Sequence, residues 1–145
     1  MTSARDLAER YDREALAYRD LWAPILLQAA QSLVRELVHA TTQRVLDLGT
    51  GVGALFADLR TAFPGAVVVG ADRSHGMLTL APGSAPRTVM EARQLAFPAA
   101  SMDRVFMVFM LFHVDDPGLG LCEARRVLRN DRPFGPPDPD SARAG

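Results

Sequence analysis

Three glycines, Gly49, Gly51 and Gly53, sit between a short apolar segment and a helical pattern in VLDLGTGVGAL, Val45 to Leu55. Glycine at this spacing supplies positive φ and leaves bare backbone against which a ligand can lie. A helix start adds N–H donors and the positive end of a dipole. An adenosyl group or a dinucleotide suits such a turn. Two carboxylates flank it: Asp47, two residues before the first glycine, and Asp72, at the end of the next apolar run. Asp72 lies roughly 20 residues past the turn, where a carboxylate can accept bonds from both hydroxyls of a ribose. Glu91 and Ala92 close a third run, near where an adenine ring would lie. Glu91 can accept from the ring's amino group, and the Ala92 N–H can reach a ring nitrogen.

The turn alone leaves two ligand classes open. Gly49 to Ala54 (GTGVGA) also fits the loose G-x-G-x-x-G/A pattern of dinucleotide sites. Asp47 favours the other class, because an acid in the strand can hold a cationic amino group, directly or through water. A pyrophosphate would be repelled by it. His113, after a fourth apolar run, has an intrinsic pKa near ~6.5 and is a candidate base. The competing reading is that it lines the pocket or a loop without proton chemistry.

Elements that alternate between strand and helix must position these residues. Leu7, Tyr11, Ala15, Tyr18 and Trp22 form one helical stripe, and Ile25, Ala29, Leu33 and Leu37 a second, after Pro24. Strands are expected at Arg44–Leu48, Ala66–Ala71, Arg87–Glu91 and, most apolar of all, Asp103–Phe112. Helices are expected at Ala54–Phe63, Ser74–Leu80 with Ser74 as N-cap, and Pro117–Arg129. Alternation of this kind implies parallel pairing through right-handed crossovers. The expected fold is therefore α/β, a doubly wound Rossmann-like parallel sheet with N-terminal helices. Residues 1–43 form a helical cap, 44–130 the ligand-binding core, and 131–145 a proline-rich disordered tail.

Composition removes several function classes. The 145 residues carry a formal net charge of −1, which gives no long-range field to gather nucleic acid or an anionic membrane. All 16 basic residues are Arg, so a lysine-dependent phosphate loop and Schiff-base chemistry are both excluded. Cys122 is the single cysteine, which rules out an internal disulfide; on its helix it reads as core. No His/Asp/Glu cluster has metal spacing, and no metal is expected. His39 and His75 read as surface residues. No apolar run reaches the ~20 residues of a spanning helix and no secretory core precedes the first helix, so a cytoplasmic protein is expected.

In order and spacing, VLDLGTGVGAL, VVVGADRSHGML, EARQLAFPAASMDRVFMVFMLFHVDDP and CEARRVLR resemble the class I S-adenosylmethionine-dependent methyltransferases of the broad small-molecule group. YDREALAYRDLW resembles the helix that precedes this core in many relatives. The resemblance implies S-adenosylmethionine as cofactor and a small-molecule acceptor. It places Gly49, Thr50 and Gly51 against the methionine part of the cofactor, with Asp47 beneath its amino group. It places Asp72 on the ribose, Arg73 and Met77 beside the adenosine, and Glu91 and Ala92 on the adenine. Phe109 would lie by the methionine moiety and face the substrate, while Tyr11 and Tyr18 would close over the site.

Two departures from the family follow. Glu91 stands where Asp is usual, which keeps the charge and adds one methylene. The Pro-Gly-Gly turn and further strands that usually follow R-V-L-R are replaced by Asn130-Asp131-Arg132 and the proline-rich segment. The sheet is therefore expected to stop after about four strands. Val105–Leu111 would then form an open apolar edge capable of self-association. A methyltransferase, a catalytically impaired remnant acting as an interaction module, and an NAD-type oxidoreductase fragment remain the three readings.

Overall fold

The structure is a computed structural model that describes residues 4–38 and 41–129. The expected tail at 131–145, and His39, lie outside the described residues. The chain begins with α1 (Ala4–Ala17), passes through a π-helical turn (Tyr18–Trp22) and continues as α2 (Ala23–Glu36). Then follow β1 (Arg44–Leu48), α3 (Phe56–Ala62), β2 (Val67–Asp72), α4 (His75–Leu80), β3 (Arg87–Val89), β4 (Arg104–Phe106) and α5 (Pro117–Val127).

The four strands form one sheet in the order β3-β2-β1-β4, and every pairing is parallel. The α/β alternation thus yields the doubly wound parallel sheet expected from the sequence. β1 is buried along four of its five residues, because both faces of the central strand are covered. One face packs Val45 with Phe56, Leu59, Phe63 and Val34; the other packs Leu46 and Leu48 with Leu95, Met102 and Val127. β2 is less enclosed, since Val67 at its start is exposed.

The π turn corrects the expected helix stripes. A π turn inserts one residue into the helical repeat, so the inward face slips by one position beyond it. Trp22 is 58% exposed, while Ala23 next to it is only 6% exposed. Ala30 and Val34 are buried in place of Ala29 and Leu33, and Ile25 points outward. The same widened turn carries Tyr18 toward the glycine turn, with its ring 3.9 Å from the place a Cβ on Gly51 would occupy.

The fourth strand is also shorter than its apolar run. β4 pairs with β1 only from Arg104 to Phe106. Beyond it the chain leaves the sheet, passes through Phe109 at φ 54°, and forms a 3-10 turn at Leu111–His113. Met107, Val108 and Met110 pack partly buried against the two core clusters instead of extending the ladder. The long apolar edge expected over Val105–Leu111 is therefore not a strand edge. After α5 the chain returns beside β4, where Leu128 bridges Met102 in parallel and the Arg129 N–H donates to the Met102 carbonyl. Cys122 is exposed on α5, correcting its assignment to the core. Among the described residues no helix is long and apolar enough to cross a membrane.

Candidate functional site

At the C-terminal ends of β1 and β2, Asp47 lies level with Gly70 in the parallel register. Asp72 follows Gly70 by two residues, so the two acids project from the same face of the sheet. Gly70 leaves room there, because a Cβ on it would come within 2.5 Å of Phe56 and 2.8 Å of Thr50. Asp47 is buried and accepts the Thr50 hydroxyl at 2.6 Å. Burial pushes its carboxyl up to about 6, partly offset by Thr50 and reinforced by the neighbouring Asp72 charge.

Asp72 is held by main chain. Its Oδ2 accepts the Gly51 N–H at 2.8 Å and its Oδ1 accepts the Ser74 N–H at 2.9 Å. Burial pushes its carboxyl up, and these two amides pull it back down.

Several amides of the glycine turn find partners within the protein. Gly49 and Thr50 donate their N–H groups to the Ala71 carbonyl, Gly51 to Asp72, and Gly53 to the Thr50 carbonyl. Four turn amides are thus engaged within the protein rather than aimed at a ligand. The turn contributes shape, with positive φ at Gly49, Gly51 and Gly53. A pyrophosphate needs free donors at such a turn; an uncharged nucleoside with a cationic tail does not.

Above the turn lies a cavity that opens to solvent. Of the residues singled out in the sequence, it is lined by Tyr11, Tyr18, Gly49, Gly51, Asp72, Arg73, Met77, Ala92, Phe109 and His113. Asp47 and Thr50 line a smaller adjoining space that shares Tyr18, Gly49 and Phe109 with the first. Glu91 is not on either wall. It lies 3.8 Å from an Arg73 nitrogen and 3.7 Å from an Arg93 nitrogen, a loose ion-pair cluster beside the cavity.

Sequence reasoning missed two features that assemble the site. Asp12 on α1 accepts from the Ser74 hydroxyl and, at 2.7 Å, from the Gly76 N–H, which fixes α1 to the start of α4. Ser74 in turn caps α4 by accepting the Met77 N–H at 3.0 Å. Second, Tyr11 Oη lies 2.7 Å from His113 Nε2, joining the N-terminal helix to the segment after β4. No spacing in the sequence signals contacts across such separations. The lining residues Met110 and Phe112 were also missed; the first presses on Gly49 and the second is 72% exposed at the rim. Among the described residues no group of His, Cys, Asp and Glu could hold a metal ion.

A parallel sheet in this order, with a glycine turn after its first strand and an acid at the end of its second, defines the Rossmann-like class of nucleoside-binding folds. Comparison with known proteins narrows the class. The profile of the family described as "Methyltransferase domain" matches residues 46–132. The chain belongs to this methyltransferase family.

It is 32% identical over 128 residues to malonyl-[acyl-carrier protein] O-methyltransferase of Hahella chejuensis, covering 85% of this chain and 46% of that protein. It is 34% identical over 130 residues to demethylmenaquinone methyltransferase of Thermus thermophilus, covering 85% of this chain and 58% of that protein. The chain thus spans about half the length of the curated relatives it matches. Among solved structures, an S-adenosylmethionine-dependent methyltransferase of Thermotoga maritima superposes with a TM-score of 0.66 at 22% identity, covering 82% of this chain and 55% of the other. At that identity the likeness establishes the fold.

Proposed function

We propose that this chain binds S-adenosylmethionine across the glycine turn and transfers its methyl group to a small-molecule acceptor in the cytoplasm. The observation that carries the reading is the engagement of turn amides by Ala71, Asp72 and Thr50, beside the buried Asp47 and the half-buried Asp72. That arrangement disfavours a dinucleotide pyrophosphate and suits an adenosyl group with a positive sulfur and an ammonium. The family membership supports the same choice.

In this reading Asp72 accepts from the ribose hydroxyls with the lone pairs left by Gly51 and Ser74. Arg73 and Met77 flank the adenosine, and the Ala92 N–H meets the adenine, with Glu91 just beyond it. Gly49, Thr50 and Gly51 support the methionine end, and Asp47 receives its ammonium through the adjoining space. Phe109 faces the acceptor, and Tyr11 and Tyr18 cover it from the N-terminal helices. The donor supplies an already activated methyl group on a sulfonium. The protein's contribution is alignment and exclusion of water.

Calorimetry with S-adenosylhomocysteine and with NADH tests the proposal. Saturable binding of the first and none of the second is expected. Tight NADH binding without a response to S-adenosylhomocysteine would overturn it.

A further inference from the structure

Four charged side chains meet where the ends of β2 and β3 face the segment after β4. Glu91 Oε1 lies 3.8 Å from an Arg73 nitrogen and 3.7 Å from Arg93 Nε. A further Arg93 nitrogen lies 3.9 Å from an Asp115 oxygen. The cluster balances two charges of each sign. Arg73 joins it to the cavity, because it lines the wall and donates to the His113 carbonyl at 3.0 Å.

All three ion-pair distances exceed hydrogen-bond reach. Glu91 Oε1 and Arg93 Nε are buried, yet neither has a hydrogen-bond partner among the described residues. A buried polar atom without a partner costs free energy. Closing the one gap between them by about 1 Å would satisfy both atoms at once. The two banks of the cluster differ in support. On one bank the turn after β3 is fixed: the Met90 N–H donates to the Asp72 carbonyl at 2.9 Å, the Gln94 N–H to the Glu91 carbonyl at 3.0 Å, and Arg126 on α5 to the Leu95 carbonyl at 2.8 Å. On the other, the segment after β4 has left the sheet and bonds locally, His113 to Met110 and Val114 to Leu111. It also carries the strained Phe109, at φ 54°. The second bank is therefore the one that yields.

Resting on the methyltransferase reading above, we propose that Glu91 and Arg93 are positioning residues. Bridging Arg73 to Asp115, they form an ion clasp that tightens when a nucleoside fills the adenosine side and thereby orders the acceptor wall from Val108 to His113. The cause is solvent. In the open cavity water screens Arg73. A nucleoside beside Arg73 displaces that water, and the same charges at the same distances then attract several-fold more strongly. The clasp closes, and the guanidinium holds the His113 carbonyl in place. By linkage, whatever the nucleoside adds to the clasp, the clasp adds to the affinity for the nucleoside. This arrangement also gives Glu91 a different task from the one its position in the sequence implies. Its carboxylate is off the cavity wall and beside two guanidiniums, so it acts on the cofactor through Arg73 and not by reading the adenine amino group.

The test compares the full chain with Glu91→Gln, Arg93→Gln and the double variant in two measurements. Calorimetry uses S-adenosylhomocysteine and its purine analogue, in which hydrogen replaces the exocyclic amino group. If the unsubstituted chain binds neither, the methyltransferase reading itself falls, and this inference with it. Each single substitution should weaken both ligands about fivefold, the share of a favourable ion pair, and leave the ratio between them unchanged. The double variant should lose less than the product of the two single losses, since both act through one cluster. A ratio that collapses in Glu91→Gln would show that the carboxylate reads the amino group. That result, unchanged affinities, or losses that multiply would overturn the inference. Second, hydrogen exchange followed by mass spectrometry compares residues 107–116 with and without saturating S-adenosylhomocysteine. In the unsubstituted chain the ligand should slow exchange there about fivefold or more. In both single variants that slowing should vanish, while slowing at the glycine turn, residues 49–53, persists and shows that the ligand is bound to a folded chain. No slowing of 107–116 in the unsubstituted chain, or slowing that survives both substitutions, would overturn the clasp while leaving cofactor binding intact.

Discussion

Asp72 Oδ2 accepts the backbone N–H of Gly51 at 2.8 Å, so the glycine turn and the acid at the end of the next strand form a single unit. The carboxylate has two tasks: it clamps the turn, and it offers its remaining lone pairs to the cavity. Asp72→Ala should weaken S-adenosylhomocysteine binding by about 1.5–3 kcal/mol, the loss expected for hydrogen bonds to a charged group. It should also lower the melting temperature, because the Gly51 and Ser74 amides lose their acceptor. Calorimetry and thermal melting read the two effects separately. Unchanged affinity would refute the ribose assignment.

This dual role explains what was legible in the sequence. The acid and the glycines could be located from residue type and spacing, and β1 forms over the expected residues. Ser74 could be assigned as the cap of α4 because an N-cap is a local device. Contacts that cross the fold left no such trace. The Asp12–Ser74 and Tyr11–His113 bonds join residues more than sixty positions apart and depend on how α1 docks. The π turn at Tyr18–Trp22 was hidden because the second helix is apolar on two faces. Periodicity could not tell which stripe, Ile25 to Leu33 or Ala23 to Val34, would turn inward. β4 was overextended for a related reason: Met107, Val108 and Met110 are apolar because they pack on the core beyond the sheet, not because they pair in it.

Asp47 should make the fold sensitive to pH. Its carboxyl is raised to about 6 in the folded chain, against 3.8 for an ordinary aspartate. Between these values the unfolded chain gives up the proton and the folded chain keeps it. The unfolded state then binds fewer protons, so stability falls as pH rises through this window. Asp47→Asn, which retains an acceptor for Thr50, should be more stable than the natural chain at pH 7–8 by a few kcal/mol, with the difference gone below about pH 4. It should bind S-adenosylhomocysteine more weakly, because the ammonium loses its counter-charge. Melting curves from pH 4 to pH 8 measure the first effect, and a pH-independent difference would contradict the buried ionisation.

Asp12 should control the docking of the N-terminal helix. The Ser74 hydroxyl holds its carboxyl below the ordinary range, with the Gly76 amide assisting. A lowered carboxyl stabilises the fold above its unfolded value and ceases to do so as pH falls through its folded value. Asp12→Ala should reduce stability by about 1–2 kcal/mol, in keeping with lost charge-assisted hydrogen bonds at a partly exposed site. Trypsin should then cut faster at Arg13 and Arg19, and digestion at the natural rate would show that α1 is held by other contacts.

Gly49 and Gly51 should respond differently to the same substitution. Both have positive φ, 78° and 55°, so a Cβ at either costs about 1–2 kcal/mol of backbone strain. They differ in what the Cβ would meet. At Gly49 it would lie 2.5 Å from the Met110 Cβ, an atom close to the backbone that cannot move away without shifting the segment after β4. At Gly51 the nearest atom is on the Tyr18 ring, 3.9 Å away, an ordinary contact. Gly49→Ala should therefore destabilise by roughly 3 kcal/mol or more, adding overpacking to strain, and Gly51→Ala by the strain alone. Met110→Gly should partly relieve the first and leave the second unchanged, because it removes the colliding Cβ. Denaturant unfolding of the natural chain, the three single variants and the two doubles that carry Met110→Gly measures this coupling. Equal effects at the two glycines would mean that Met110 does not rest on the turn, and that the wall of the cavity is more open than its packing implies.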